Sequence, residues 1–136
     1  VCLATAIYFE ARGEPIIGQI AVANVIINRV YDERYPDDVC SVVKQGPTYT
    51  WKPDYPVRDK CQFSFFCDGK SDYAPKGNAW DTSVMVAYGV MSMRTYDVTE
   101  GATHYHATYV YPDWAESKQK TVQINNHVFY RWNYGK

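Results

Sequence analysis

At 136 residues, with 46% hydrophobic and 21% charged residues, the chain is long enough to bury one core and too apolar to remain disordered. Its formal net charge of −1 argues against nucleic acid as a partner, because binding to phosphates requires a basic face. No apolar run approaches the ~20 residues that a helix needs to cross a bilayer, so we expect no membrane span in this fragment. The sequence has neither an internal repeat nor a low-complexity linker, which predicts a single domain over residues 1–136.

The first part of the chain predicts two consecutive helices. Apolar side chains recur at helical spacing over residues 2–12, and Gly13 followed by Pro15 ends that helix. The residues on its apolar face are Leu3, Ala4, Ile7, Tyr8 and Ala11. The second helix, from about residue 17 to residue 30, is apolar nearly all round, so it should be the buried central helix.

A short helix and a long irregular region follow. Asp37 or Asp38 can cap the short third helix. Residues 46–78 are rich in Pro, Gly, Asp and aromatic residues, which is typical of a functional loop or a small irregular subdomain. Asn78 should then cap a helix that runs to about residue 94. Its core face is predicted to consist of Trp80, Val84, Ala87 and Met91.

The last part of the chain predicts strands. Residues 103–106 alternate in the manner of a strand, and two further strand-like segments, 121–124 and 127–130, flank Asn125-Asn126, a suitable two-residue hairpin turn. We therefore expect an α+β fold, in which a helical core is joined by a small antiparallel sheet and a long irregular loop region.

The four cysteines are candidates for disulfide bonds. Cys61 and Cys67 flank a short loop that a disulfide could close, which leaves Cys2 and Cys40 for a second bridge. Zinc binding and four buried free thiols are the alternatives, although the paired C-x₂-C spacing of zinc sites is absent. At least one disulfide is expected, and with it an oxidising compartment.

Glu10 is the strongest candidate for catalysis. It lies in the last turn of the first predicted helix, where the negative end of the helix dipole disfavours a carboxylate, and Tyr8 and Phe9 can desolvate it. Both effects raise the pKa of the carboxyl, as a proton donor to a glycosidic oxygen requires. The alternative is a solvated surface glutamate. Glu14 follows the helix and more plausibly caps the next helix or pairs with Arg12.

The three histidines allow a different hypothesis. His104 and His106 would share one face of a strand, and together with His127 they could bind zinc and leave an open position for water. Local hydrogen bonding is the commoner role of histidines in a small sheet. A non-catalytic carbohydrate-binding module is a third possibility, because the chain contains 13 Tyr, 4 Trp and 5 Phe.

Several blocks in series resemble the spore-cortex-lytic cell-wall hydrolase family, the SleB and CwlJ type. The first blocks are Glu10-Ala11-Arg12-Gly13-Glu14-Pro15, Gly18-Gln19-Ile20-Ala21-Val22-Ala23 and Asn28-Arg29-Val30. The later blocks are Tyr35-Pro36, Val39-Cys40-Ser41-Val42-Val43, Cys61-Gln62-Phe63-Ser64-Phe65, Cys67-Asp68-Gly69, Gly101-Ala102-Thr103-His104-Tyr105-His106-Ala107 and His127-Val128-Phe129-Tyr130. They keep the order of the family and span nearly the whole chain.

This resemblance implies a lysozyme-like domain that cuts peptidoglycan glycan strands between N-acetylmuramic acid and N-acetylglucosamine. It implies that Glu10 is the catalytic acid and leaves the role of Glu14 open. The candidate substrate contacts in the matching blocks are Glu14, Gln62, Phe63, Ser64, Thr103, Tyr105, His106, His127 and Tyr130. Trp114, Phe129 and Tyr130 are candidates for the walls of the groove, with core packing as the alternative for each.

No second acid with a motif comparable to that of Glu10 is found in the sequence. The acids of the loop region are expected to be solvated; they are Asp54, Asp59, Asp68 and Asp72. A single acid favours a lytic transglycosylase, in which the 6-hydroxyl of the substrate attacks the anomeric carbon and gives 1,6-anhydromuramic acid. A hydrolytic muramidase with a second carboxylate is the alternative.

The remaining expectations concern the oligomeric state, cofactors, partners and localisation of the protein. We expect a monomer that needs no cofactor and no metal and whose partners are peptidoglycan glycan strands. It should be exported to the periplasm or the cell wall, or be phage-encoded and delivered to the periplasm. Val1-Cys2-Leu3-Ala4 has the character of a domain interior, so we expect a mature or trimmed fragment without its export signal.

Overall fold

The computed structural model describes residues 1–133, apart from the side chains of residues 53 and 54. Its helices are α1 (Cys2–Ala11), α2 (Ile16–Val30), α3 (Val39–Val43) and α4 (Asn78–Met91). Its strands are β1 (Thr48–Tyr49), β2 (Lys52–Pro56), β3 (His104–Ala107), β4 (Gln119–Ile124) and β5 (His127–Arg131). Short 3₁₀ helices cover Ser64–Cys67 and Asp113–Ser117. The fold is α+β, as the sequence predicts.

Helix α2 is the central element, as its apolar sequence predicts. It packs against α1, α3, α4 and β4. Its fully buried side chains are Ala21, Val22, Ala23, Val25 and Ile26. Pro15 stands at its N-cap and stops α1 from continuing into it. The predicted apolar face of α1 is buried against this core.

Helix α4 differs from its prediction in both its ends and its face. Gly77 is the N-cap and Asn78 is already helical, and the helix ends at Met91. The buried residues are Ser83, Val86, Ala87 and Val90, whereas Val84 and Met91 are exposed. Apolar residues occur on two faces of this helix, so periodicity alone could not identify the one that packs. Small side chains at positions 83 and 87 allow close approach to the neighbouring helices.

The C-terminal sheet has the predicted hairpin. Its strand order is β3-β5-β4, with all pairs antiparallel. In the register of β3 and β5, Tyr105 pairs with Phe129 and Ala107 pairs with His127. The turn is Asn125-Asn126, and Asn125 has a φ of +50°, a left-handed conformation that asparagine tolerates. This sheet packs its inner face against α2 through Phe129.

The long loop region contains more regular structure than the sequence predicts. A hairpin of β1 and β2 lies inside it, and it is followed by a 3₁₀ helix. The structure contains two disulfides. Cys61 pairs with Cys67 within this region, and Cys2 pairs with Cys40 between α1 and α3. The expected disulfide bonding is confirmed. Over residues 1–133, none of the helices combines the length and the apolar character that a membrane crossing requires.

Candidate active site

Glu10 faces a small cavity where the end of α1, the end of α2 and the start of β3 meet. Its carboxyl is partly buried and forms no ion pair among the described residues. The cavity has a volume of about 170 Å³ and is lined by Glu10, Arg29, Gln62, Phe63, His104, Tyr105 and Trp114. Glu10 is thus positioned in a concave site rather than on an open surface.

Two opposing influences act on the pKa of Glu10. Burial raises the pKa above its ordinary value, because the charged form loses solvation. The hydroxyl of Tyr105 donates a hydrogen bond to Oε1 of Glu10, which stabilises the carboxylate and lowers the pKa. Burial is the larger effect, so the net shift is upward. The pKa of Tyr105 is itself raised by burial, so its hydroxyl remains a donor.

Arg12 does not cancel this effect. Its guanidinium lies over the ring of Tyr8, 4.8 Å from the centroid, and its Nη1 donates to the Tyr8 carbonyl. The side chain therefore turns back along α1, as its position two residues after Glu10 predicts.

Gln62 and Phe63 enter the cavity from the disulfide-closed loop. The Cys61–Cys67 bond spans six positions and holds both ends of this loop together. The backbone N–H of Gln62 also donates to the carbonyl of Gln45 at 3.0 Å. Phe63 is buried and Gln62 is exposed, and both line the cavity together with Glu10.

Sequence reasoning missed Arg29 as a cavity residue and considered His104 only as a zinc ligand. Arg29 lies in the last turn of α2, and its Nε donates to the Thr103 carbonyl at 2.7 Å. The signal that could have identified it is a charge within an otherwise buried apolar helix, because such a side chain requires polar partners. Burial and the charge of Arg29 lower the pKa of His104 to about 4, so this ring is neutral at pH 7.

Glu14 is directed to the tip of the β4–β5 hairpin rather than to the cavity. Its Oε1 accepts from Asn125 Nδ2 at 3.2 Å and from the Asn126 backbone N–H at 3.4 Å. Nδ1 of His127 lies 3.8 Å from the same oxygen, but burial lowers the pKa of His127, so at pH 7 this contact is not an ion pair. Glu14 is therefore bound to the sheet, and neither Arg12 nor a helix N-terminus is its partner.

Four of the other candidate contacts lie outside the cavity. His106 and Tyr130 are buried and bonded to each other, with 2.9 Å between Nε2 and the hydroxyl, so they serve the packing around Trp114. Thr103 is buried, and its hydroxyl meets Nδ1 of His104. Ser64 is exposed at the start of a 3₁₀ helix. These four residues do not line the cavity that contains Glu10, and their contact with substrate stays a prediction.

Of the three aromatic residues predicted to form the walls of the groove, one lines the cavity and two are buried in the core. Trp114 lines the cavity beside His104. Phe129 is fully buried and packs against α2, so it belongs to the core, as does Tyr130. His127 lies behind Tyr105, with the two ring centroids 4.9 Å apart.

The register of the sheet separates the three histidines. His104 and His106 lie on one face of β3, next to Trp114. His127 is opposite Ala107 in the ladder and lies on the other face, against Tyr105. Across residues 1–133, no group of three or more His, Cys, Asp or Glu side chains is arranged to hold a metal ion. A zinc site would require the three histidine side chains to meet on one face of the sheet, and the strand register places His127 on the other face.

Glu10 is the sole carboxylate among the described residues that line the cavity. Asp59 and Asp72 are exposed, and the carboxylate of Asp68 accepts the backbone N–H of Lys70. The side chain of Asp54 lies outside the described part of the structure. A pair of carboxyl groups across a sugar, as in most glycosidases, is thus not found at this site within the described residues.

Comparisons with known proteins identify the family of this chain. A family model described as Cell Wall Hydrolase matches residues 13–130. A spore cortex-lytic enzyme of Halalkalibacterium halodurans is 38% identical over 80 residues, which cover 57% of this chain and 24% of that protein. A spore cortex-lytic enzyme of Bacillus cereus is 36% identical over 80 residues, which cover 57% of this chain and 31% of that protein. The matched segment thus spans less than a third of either relative.

Solved structures extend the likeness to nearly the whole chain. The catalytic domain of the germination-specific lytic transglycosylase SleB from Bacillus anthracis matches with a TM-score of 0.66 and 27% identity, covering 96% of this chain and 91% of that one. The catalytic domain of the Bacillus cereus SleB protein matches with a TM-score of 0.64 and 28% identity, covering 95% and 86%. These matches confirm the lysozyme-like α+β fold that the sequence predicts.

Proposed function

Because this chain belongs to the cell wall hydrolase family, we propose that it cleaves peptidoglycan glycan strands as a lytic transglycosylase, with Glu10 as its acid and base. The bond cut is the one between N-acetylmuramic acid and N-acetylglucosamine. The observation that carries the proposal is a carboxyl with a raised pKa that faces a cavity and accepts a hydrogen bond from Tyr105.

The first step uses the protonated form of Glu10. Its proton moves to the glycosidic oxygen as the bond between that oxygen and the anomeric carbon breaks, and positive charge develops at the anomeric carbon. Burial keeps the carboxyl protonated at a pH where an exposed glutamate would be ionised. The oxygen leaves as the free hydroxyl of the departing sugar.

The second step uses the carboxylate that the first step produces. The 6-hydroxyl of the muramic acid attacks its own anomeric carbon, and its proton returns to Glu10. A 1,6-anhydro ring forms, no water is consumed, and the acid is regenerated. The hydroxyl of Tyr105 stabilises the carboxylate between the two steps. One carboxyl suffices, which agrees with the absence of a second one from the described cavity wall.

The proposed setting follows from the chemistry of the substrate. Peptidoglycan lies outside the cytoplasm, so we place the enzyme in the periplasm or cell wall, either as an exported protein or as a phage product delivered there. The two disulfides support an oxidising compartment. We further propose that residues 1–136 form one catalytic domain that acts as a monomer.

The test is a digest of purified sacculi, with mass spectrometry of the released muropeptides. Wild type should release products ending in anhydromuramic acid, each lighter by one water than a hydrolytic product. Glu10→Gln should lower the rate about 100- to 10,000-fold while still binding sacculi. Glu33→Gln, at an exposed glutamate, is the matched control and should behave as wild type.

Each alternative predicts a different result. Products with a reducing muramic acid would assign a hydrolytic muramidase. Unchanged clearance by Glu10→Gln would refute the role of Glu10, and binding without any clearance by wild type would indicate a non-catalytic module. Loss of activity with excess chelator, and its recovery with zinc, would indicate a zinc hydrolase.

A further inference from the structure

Arg29 is an unusual component of the cavity wall. Its side chain is only 5% exposed, and it reaches the cavity from the last turn of α2. The proposed mechanism does not use it. A buried guanidinium beside a catalytic carboxyl needs a physical explanation, because a charge taken out of water is costly unless it is paired.

The partners of Arg29 satisfy only part of its donor capacity. Nε donates to the Thr103 carbonyl, and the guanidinium carbon lies 4.9 Å from the ring centroid of Tyr35 and 5.5 Å from that of Phe63. Nη1 is buried and has no hydrogen-bond partner. Among the carboxylates whose side chains the structure describes, none forms an ion pair with Arg29. The guanidinium is held in place by its neighbours but lacks an acceptor.

The remainder of the cavity indicates which acceptor would fit. Beside Arg29, the wall provides the apolar faces of Phe63 and Trp114 and the polar amide of Gln62. Glu10 and Arg29 line the same cavity, so a substituent of the sugar held at Glu10 lies within reach of this wall. An acetamido group combines a carbonyl oxygen, which accepts hydrogen bonds, with a methyl group that suits an aromatic wall.

An anionic substituent would suit this cavity less well. Glu10 becomes a carboxylate during the proposed reaction, and a second negative charge beside it would oppose that step. A neutral carbonyl oxygen gives Arg29 an acceptor without this conflict. An unacetylated amino group, in contrast, is cationic near neutral pH and would be repelled by the guanidinium.

We propose that Arg29 donates a hydrogen bond to the acetamido carbonyl of the N-acetyl sugar at the cleavage site and thereby makes the enzyme selective for N-acetylated glycan. This inference rests on the proposed function and adds a specificity residue to it. Arg29 acts by binding, and Glu10 still performs both proton transfers.

The experiment compares cleavage rates on three preparations of the same sacculi: native, chemically N-deacetylated, and deacetylated then re-N-acetylated. Wild type should cleave the acetylated preparations about 10- to 100-fold faster than the deacetylated one, as expected for a hydrogen bond to a charged donor. In Arg29→Met, which keeps the apolar stem, this ratio should fall below about threefold. Arg94→Met, at an exposed arginine outside the cavity, should retain the wild-type ratio.

A purely structural role of Arg29 gives a different pattern. Arg29→Met would then lose activity equally on all three preparations, and that result would overturn the proposal. The same conclusion follows if wild type releases anhydromuropeptides at equal rates from acetylated and deacetylated sacculi, a result that leaves the proposed function intact. If wild type releases no anhydromuropeptides from native sacculi, the transglycosylase proposal itself fails.

A second measurement requires no change at Arg29, in case Arg29→Met does not fold. Glu10→Gln with ¹⁵N-labelled arginine is titrated with a tetramer of N-acetylglucosamine and, separately, with a tetramer of glucosamine. The Nη resonances of Arg29, assigned through its Nε contact, should shift with the acetylated tetramer alone. Equal shifts with both tetramers, or shifts with neither, would contradict the proposal.

Discussion

The carboxyl of Glu10, which we propose as the catalytic acid, is unfavourable for stability when it is ionised. Because burial raises its pKa in the folded state, the folded protein binds a proton at this site more tightly than the unfolded chain does. As the pH rises from the unfolded pKa through the folded pKa, the free energy of unfolding therefore falls. Above that window the full cost of the buried carboxylate is present, and below it the cost vanishes.

Replacing Glu10 by Gln should therefore stabilise the protein at neutral pH. The glutamine Oε1 can still accept the hydrogen bond from Tyr105, and the neutral amide avoids the cost of burying a charge. We expect a gain on the order of 1 kcal/mol at pH 7 and almost none at about pH 3.5, where glutamate is protonated in both states. Thermal unfolding of both proteins at the two pH values measures this difference.

The matched control is Glu33→Gln, at an exposed glutamate, which should leave the midpoint of unfolding unchanged at both pH values. A Glu10→Gln protein that is less stable than wild type at pH 7 would mean that the carboxylate makes favourable contacts in the folded state. The raised pKa would then be the wrong basis for its role as an acid.

Tyr105 should influence the same titration in the opposite direction. Its hydroxyl favours the carboxylate form of Glu10, so Tyr105→Phe should raise the pKa of the acid still further. The alkaline limb of the rate profile should move to higher pH, and the maximal rate should fall about tenfold, because the carboxylate formed in the first step loses a donor. Initial rates between pH 5 and about pH 9 test both expectations.

A shift of the alkaline limb to lower pH would contradict this account of Tyr105. Tyr130→Phe provides the control, because that hydroxyl bonds His106 within the buried aromatic cluster. It should reduce stability without moving the alkaline limb.

At the scale of elements, Glu14 joins the end of α1 to the tip of the β4–β5 hairpin. The side chain of Glu14 packs closely against α2 because residue 18 is glycine. A Cβ at that position would lie 3.0 Å from the Cβ of Glu14. The hairpin is in turn paired with β3, which carries Tyr105. Glu14 thus contacts the hairpin whose strand β5 pairs with the strand that carries Tyr105.

Glu14→Ala should loosen this junction, while Glu14→Gln should largely preserve it. The alanine variant removes the acceptor of exposed hairpin donors, which can then bond to water, so we expect a loss of about 0.5–1.5 kcal/mol in the free energy of unfolding. Glutamine retains Oε1 and should lose about half as much. Denaturant unfolding of the two variants provides the measurement, and equal losses for both would indicate that the charge of Glu14, rather than its acceptor geometry, is what matters.

The sequence predicted this junction only in part, and the reason is physical. The ends of α1 and the Asn125-Asn126 turn follow from local rules about glycine, proline and asparagine, and both were predicted correctly. The partner of Glu14 lies 111 positions away in sequence, so nothing in its local context indicates it. The core face of α4 was predicted only in part, with Trp80 and Ala87 correct and Val84 and Met91 wrong, because two of its faces are apolar and only tertiary packing selects between them.

The difference between local sequence signals and tertiary contacts also explains which residues of the cavity were predicted. Glu10 could be identified because its helix-end position and its motif are local features, and Tyr105 was included through its block. Arg29 was missed because its neighbours Thr103, Tyr35 and Phe63 are brought to it from separate elements. A catalytic group is often visible in a motif, whereas the side chains that surround it depend on how the elements assemble.

At the scale of the whole molecule, the two disulfides constrain different properties. Cys2–Cys40 joins residues 38 positions apart and ties the start of α1 to α3, on which the helical core depends. Cys61–Cys67 spans six positions and closes the loop that brings Gln62 and Phe63 to the cavity. In the chain-entropy description, the longer loop restricts the unfolded state more, so its bond contributes more to stability.

Removing the Cys2–Cys40 bond should therefore mainly lower stability, whereas removing the Cys61–Cys67 bond should mainly lower activity. Replacing Cys2 and Cys40 by serine should lower the free energy of unfolding by about 4 kcal/mol, against about 2 kcal/mol for the pair Cys61 and Cys67. Assayed at a temperature where both variants remain folded, the second variant should nevertheless lose more activity on sacculi, because the cavity wall loses its constraint while the core is intact. Denaturant unfolding and the release of muropeptides measure the two effects separately. If activity fell in proportion to stability in both variants, the loop would have no role in the cavity beyond its share of folding, and the wall formed by Gln62 and Phe63 would not require rigidity.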